Sequence, residues 1–158
     1  VGHAPASAGL ILAIGSGTAV TVRIIVGFWV GRSALHPLDV ALVMLAAGSI
    51  GCAIVAFAGP GALAPGLALA YGGAWGWTGL LIYTITTGSR GRPGRANGIV
   101  QAGGGIGGVG GPLVVGPLIE HVSYQAAWSM TLVSVVAAAV LLASVRMAAS
   151  WHARRNPA

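Results

Sequence analysis

The chain has 158 residues, of which 56% are hydrophobic and only 6% are charged, with a mean hydropathy of +0.87. Soluble domains carry roughly 25% charged residues, so this chain has too little charge to cover a water-exposed surface, and its composition favours lipid as the solvent. The formal net charge of +6 comes from arginines in short clusters between apolar runs, a pattern that indicates no nucleic-acid partner.

Five apolar segments follow one another along the chain, each near the roughly 20 residues that a membrane-spanning helix requires. The connections between them are short and either polar or rich in proline and glycine, as expected for tight turns at a membrane surface. The sequence therefore predicts an all-α membrane protein with five transmembrane helices and a basic tail over residues 146–158. The predicted spans are residues 7–30, 40–57, 63–87, 97–119 and 126–145.

The arginines outside the spans alternate between connections. The start of the chain and the second and fourth connections carry none, whereas the first connection, the third connection and the tail all do. Because cytoplasmic loops are enriched in lysine and arginine, this pattern predicts a multi-pass protein of the cell membrane, with its N-terminus outside and its C-terminus in the cytoplasm. The predicted cytoplasmic loop residues are Arg32, Arg90, Arg92 and Arg95.

Arg23 is the charged residue that falls inside a predicted span. A charge in hydrocarbon costs from about 3 to above 10 kcal/mol, so such a residue usually faces a cavity or a partner. The apolar segments contain no acid to pair with it, and its expected counter-ion is a substrate anion or an acid elsewhere in the protein. The alternative is an arginine whose long side chain extends to the lipid headgroups.

The third and fourth spans supply the other candidate binding residues. Tyr71, Trp75 and Thr78 are spaced i, i+4 and i+7, which predicts one helical face that could cradle an amphiphilic solute or simply pack against a neighbour. Gln101 lies near the predicted cytoplasmic end of the fourth span, where it could bind a solute or a neighbouring helix. Asn97 is expected to be the N-cap of that span.

Residues 102–111 read AGGGIGGVGG and include a literal G-x-G-x-x-G. A dinucleotide-binding loop would need a strand before it and an acid about 20 residues further on, and the sequence offers neither. Each unpaired backbone group in hydrocarbon costs several kcal/mol, so we expect a helix here.

As a helix, this run places glycines in two rows that would let another helix approach its backbone closely. Gly103, Gly107 and Gly111 form one row, and Gly104 and Gly108 form the other. Pro112 and Pro117 follow, and they are expected to bend the outer half of the helix because each removes a backbone hydrogen bond.

Three stretches resemble motifs of the major facilitator superfamily (MFS) of secondary transporters. Arg23-Ile-Ile-Val-Gly27-Phe-Trp-Val-Gly31-Arg32 is similar to the R-x-x-x-G-x-x-x-D-R that ends helix eight, with Gly31 where the family often has aspartate. Gly94-Arg-Ala-Asn-Gly98 and Gly111-Pro112-Leu-Val-Val-Gly116 resemble the start and the G-P-x-x-x-G of helix eleven. The entry to the last span at residues 124–128 and the basic tail resemble helix twelve.

This resemblance implies a fold of two six-helix halves, of which the chain would supply helices eight to twelve, a partial C-terminal bundle. It implies that helix ten lines the cavity and that helix eight starts outside, in line with the arginine pattern. In members of the monocarboxylate and oxalate–formate type, an arginine at a similar place in helix eight faces the substrate path. By this resemblance, Arg23 would bind a carboxylate.

The expected function is therefore alternating-access transport of a small solute across the lipid bilayer, with an organic anion as the candidate. The expected partner is the N-terminal half of the same protein. The alternatives are a channel or permease subunit of a larger complex and a membrane-embedded enzyme. A membrane-embedded enzyme should have ionisable residues clustered at one membrane depth. The sequence shows no such cluster, so we expect no catalytic residue and no cofactor. No metal site is expected, because the four histidines lie in loops or tails without metal-ligand spacing.

Overall fold

A computed structural model describes residues 5–89 and 92–155, and all the secondary structure in these residues is helical. The helices are α1 (Pro5–Val30), α2 (Pro37–Phe57), α3 (Leu63–Leu69), α4 (Thr78–Gly88), α5 (Pro93–His121) and α6 (Tyr124–Arg155). Each of the five predicted spans coincides with helical structure, so the all-α prediction is confirmed. Arg90 and residues 156–158 of the predicted tail lie outside the described residues.

Four of these helices, α1, α2, α5 and α6, are long and apolar enough to cross a membrane. The third predicted span is instead divided between α3 and α4, of which neither piece is long enough to cross alone. The chain thus has the helices of a multi-pass membrane protein. Large apolar side chains are exposed along all four long helices, as expected where lipid and not water is the surrounding solvent.

The division of the third span is a difference from the continuous helix that its apolarity predicts. After α3 the backbone widens into a π-helical turn over Ala70–Ala74, and α4 begins at Thr78. Such turns release backbone carbonyls from their regular partners. Here the Trp77 indole Nε1 donates to the Ala74 carbonyl at 2.9 Å, and the Thr78 hydroxyl donates to the Trp75 carbonyl at 3.1 Å. We call the segment from Ala70 to Trp77 the helix break.

Helix α2 packs against the helix break backbone to backbone. A Cβ atom on Gly48 would collide with the backbone nitrogen of Ala74, and one on Gly51 with the backbone nitrogen of Ala70. A Cβ on Gly73 would in turn collide with the Gly48 backbone. Only glycine allows this approach, which holds the π-helical turn directly against α2. Helix α2 also contacts α3, α4 and α6, and so lies at the centre of the bundle.

An ion pair joins the first turn of α2 to α6. Arg146 donates from Nε to Asp39 Oδ1 at 2.9 Å and from Nη2 to Asp39 Oδ2 at 3.1 Å, a bidentate geometry. Both residues lie at span ends that the arginine pattern places on the same side of the membrane. The contact is consistent with that arrangement.

The start of α5 differs from the sequence expectation. The helix begins at Pro93 with Arg92 as its N-cap, so Asn97 lies inside the helix and its predicted capping role is wrong. Proline is favoured at the first helical position because its fixed φ suits the helix and its missing N–H has no partner to lose there. At the other end, α5 continues through Pro112 and Pro117. The bend expected at these prolines stays a prediction.

Candidate functional site around Arg23

Arg23 projects from α1 onto the helix break. Its Nη2 atom donates a hydrogen bond of 2.8 Å to the carbonyl oxygen of Trp75. Its aliphatic stem lies on Gly79, where an added Cβ would be 3.1 Å from Arg23 Cγ. A methyl group at Gly79 would therefore require the stem of Arg23 to shift by a few tenths of an ångström.

The Arg23 guanidinium lies closer to the middle of the helices, along their length, than to their ends. Arg23 lies seven residues before the end of α1 at Val30, which corresponds to about 10 Å along the helix. Long side chains in a helix lean towards its N-terminus, and in α1 that direction leads away from the Val30 end. The acceptor residue, Trp75, lies near the centre of the 63–88 segment. The side chain therefore leans away from the nearer helix end, and Arg23 stays exposed beside the Trp75 carbonyl.

The charge of Arg23 has no acidic partner in the chain. The sequence contains two acids, Asp39 and Glu120. Asp39 is paired with Arg146, and Glu120 lies at the last turn of α5 without an ion pair among the described residues. The Trp75 carbonyl offers Arg23 a dipole but no negative charge. Arg23 is exposed on α1, and neither acid forms an ion pair with it among the described residues.

A cavity of about 150 Å³ opens beside the guanidinium. It lies between α1 and α4, and it reaches from the helix break towards the α1 C-terminus. Its size is that of cavities known to hold a benzene molecule. The residues that line it include Arg23, Gly27, Gly76, Gly79 and Tyr83. At Gly27 an added Cβ would meet nothing within 4 Å, so this side of the cavity is open.

The three other binding residues predicted in this span, Tyr71, Trp75 and Thr78, lie in the helix break or directly after it. The rings of Tyr71 and Trp75 stack with centroids 5.4 Å apart and planes inclined by 23°. The Tyr71 ring also covers Gly15 of α1, where an added Cβ would be 2.9 Å from the ring. The Thr78 hydroxyl shares the Trp75 carbonyl with Arg23. Of these four residues, the structure joins Arg23 and Thr78 through the Trp75 carbonyl, and Arg23 is the one that lines the cavity.

Gln101 does not join this group. It is exposed on α5, and its side chain makes no hydrogen bond within the described part of the chain. Helix α5 contacts α4 and α6, yet none of its residues is buried.

The predicted packing surface of α5 is uncovered in this chain. An added Cβ would meet nothing within 4 Å at any of its five glycines, Gly103, Gly104, Gly107, Gly108 and Gly111. We call these residues the glycine face. Their close packing stays a prediction, and it concerns a partner other than the described helices.

Two contacts of the basic residues were missed by sequence reasoning. The Arg32 guanidinium lies 3.5 Å from the centroid of the Phe28 ring, one helical turn earlier in the chain. The Asp39–Arg146 pair joins residues that are 107 positions apart. The i, i+4 spacing of Phe28 and Arg32 could have indicated the first contact. The second could have been inferred because the two span ends are predicted to lie on the same side of the membrane.

Comparison with protein families, with curated proteins and with solved structures finds no match to this chain.

Proposed function

We propose that the chain is part of a secondary transporter of the MFS type that moves a small organic anion across the cell membrane by alternating access. The observation that carries this proposal is Arg23. It is a permanently charged residue without an acidic partner, beside a cavity and a helix break. The motif resemblance of α1, α5 and α6 to helices eight, eleven and twelve supports the same family.

An anion is the solute class that this site favours. A positive charge in an apolar environment is strongly destabilised until a negative charge comes close to it. The guanidinium has five N–H donors in a planar fork that matches a carboxylate, and the Trp75 carbonyl engages one of its nitrogens. The cavity beside Arg23 is lined mainly by glycine and apolar side chains, with Tyr83 among them. This lining would offer an apolar surface to the body of an organic anion.

Two features of the fold support alternating access. The third span contains a π-helical turn near its centre, and such turns occur frequently at functional sites. The glycine face of α5 is available to a second bundle, which we propose is the N-terminal half of the same protein. In this arrangement the arginine-bearing connections lie in the cytoplasm, and α1 begins outside.

The test is uptake by the complete gene product that contains this chain, reconstituted into liposomes. Benzoate, benzamide and benzylamine form a size-matched series of an anion, a neutral compound and a cation. We expect saturable uptake of benzoate or acetate, accelerated by the same anion inside the vesicles, and uptake of the other two compounds no faster than in protein-free liposomes. Flux without saturation or exchange would indicate a channel. Conversion of the solute would indicate an enzyme, and either outcome would contradict the proposal.

The glycine face provides a separate prediction. Gly107→Leu should reduce transport by the complete protein at least about tenfold, because leucine would hold a neighbouring helix away from the α5 backbone. The melting temperature of the present chain in detergent should not change, since nothing in it packs at Gly107. Gly107→Ala is the matched control and should retain most transport. Full transport by Gly107→Leu would show that no helix packs there.

A further inference from the structure

The carbonyl of Trp75 receives two side-chain donors from different parts of the chain. Arg23 Nη2 donates to it from α1 at 2.8 Å, and Thr78 Oγ1 donates to it from the first residue of α4 at 3.1 Å. The hydroxyls at 87, 144 and 150 likewise bond the carbonyl three residues earlier, so what sets Trp75 apart is the second donor, which comes from another helix. Thr78 is thus placed to share an acceptor with the candidate anion-binding arginine.

We propose that Thr78 is a positioning residue that sets the affinity of the site for anions. When an anion draws Arg23 away from the Trp75 carbonyl, the Thr78 hydroxyl remains as the donor to that carbonyl. The proposal rests on the proposed function, because it assumes that Arg23 binds the anion. It adds that the arginine exchanges one acceptor for another and that Thr78 makes this exchange favourable.

The donors at the site allow such an exchange to proceed in steps. The guanidinium has N–H groups besides the one that Trp75 accepts, and the cavity gives an entering anion access to the Arg23 side chain. A carboxylate can therefore bind the free N–H groups first. The remaining hydrogen bond then passes from the neutral carbonyl to the charged carboxylate, which is the stronger acceptor.

The role of Thr78 follows from the carbonyl that Arg23 leaves behind. A polar group without a hydrogen-bond partner in an apolar environment is strongly unfavourable. With Thr78 present, the Trp75 carbonyl keeps one donor in both states. Without the Thr78 hydroxyl, the Trp75 carbonyl would have no side-chain donor once the anion has drawn Arg23 away. Anion binding would then be weaker.

The experiment compares Thr78→Val, which keeps the shape without the hydroxyl, with Thr78→Ser, which keeps the hydroxyl. Benzoate binding to the purified complete gene product is measured by calorimetry, with acetate as a second probe. We expect Thr78→Val to raise the Kd about tenfold and Thr78→Ser to remain within about twofold of the wild type. Without the anion, both variants should melt as the wild type does, because Arg23 still donates to Trp75. Thr78→Ala repeats the test if the valine variant folds poorly.

The outcomes separate this inference from the proposed function. If Thr78→Val binds benzoate as tightly as the wild type while Arg23→Gln has lost binding, the exchange role of Thr78 is wrong and the anion site stands. If Arg23→Gln retains full affinity, or the wild type binds neither probe, both proposals are wrong. The double variant Arg23→Gln/Thr78→Val should bind no worse than Arg23→Gln alone, since the hydroxyl acts only through the displaced arginine.

Discussion

Arg23→Gln should reduce transport of the anion by about a hundredfold or more. Glutamine can still donate a hydrogen bond, but it brings no charge, and the loss of one member of a desolvated charge pair has effects of this size. Arg23→Lys should have intermediate activity, because it keeps the charge and loses the planar fork. Initial uptake rates in liposomes, at matched protein content, provide the measurement.

The matched control is Arg32→Gln. Arg32 is another arginine of the same helix-and-loop segment, but its guanidinium lies over the Phe28 ring and does not line the cavity beside Arg23. Its replacement should leave the affinity for the anion unchanged. Equal losses in both variants would point to a general effect of positive charge, and unchanged transport by Arg23→Gln would exclude the anion-binding role.

Gly48→Val should destabilise the chain more than a typical core substitution. The new side chain would occupy the space of the Ala74 backbone, which cannot rotate away as a flexible side chain can. Overpacking typically costs about 1–3 kcal/mol even where neighbouring side chains can adjust. For a chain of this size we expect the melting temperature in detergent to fall by about 10 °C or the cooperative transition to disappear.

Gly17→Val is the matched control for this substitution. Gly17 lies in α1, where an added Cβ would meet nothing within 4 Å, so its replacement by valine should leave the melting temperature almost unchanged. If Gly48→Val melts like the wild type, the close contact between α2 and the helix break does not hold the fold together.

The spans could be predicted from the sequence because apolarity is a property of a whole segment and because arginines mark the connections between segments. The helix break could not be predicted in this way. Gly72, Gly73 and Gly76 are apolar enough to belong to a span, and nothing local marks them as a break. The division of the third span accompanies the contact that Gly48 and Gly51 make with its backbone. This is a tertiary contact between distant residues, which no local pattern reveals.

The candidate site could likewise be predicted from the sequence only in part. The cost of a charge in hydrocarbon pointed to Arg23, and helical spacing pointed to Tyr71, Trp75 and Thr78. The acceptor of Arg23 is a backbone carbonyl, and no residue pattern singles out one carbonyl among many. Asn97 was misread as an N-cap because its side chain suits that role, whereas Pro93 starts the helix four residues earlier.

The ion pair between Asp39 and Arg146 also sets an order of events during synthesis. Arg146 is added 107 residues after Asp39, a delay of about 5–20 s at common translation rates. During that time the carboxylate at the start of α2 has no arginine of α6 to meet. The bundle can close around α2 only after the last helix has been made, so a chain truncated before residue 146 would leave this carboxylate without its arginine.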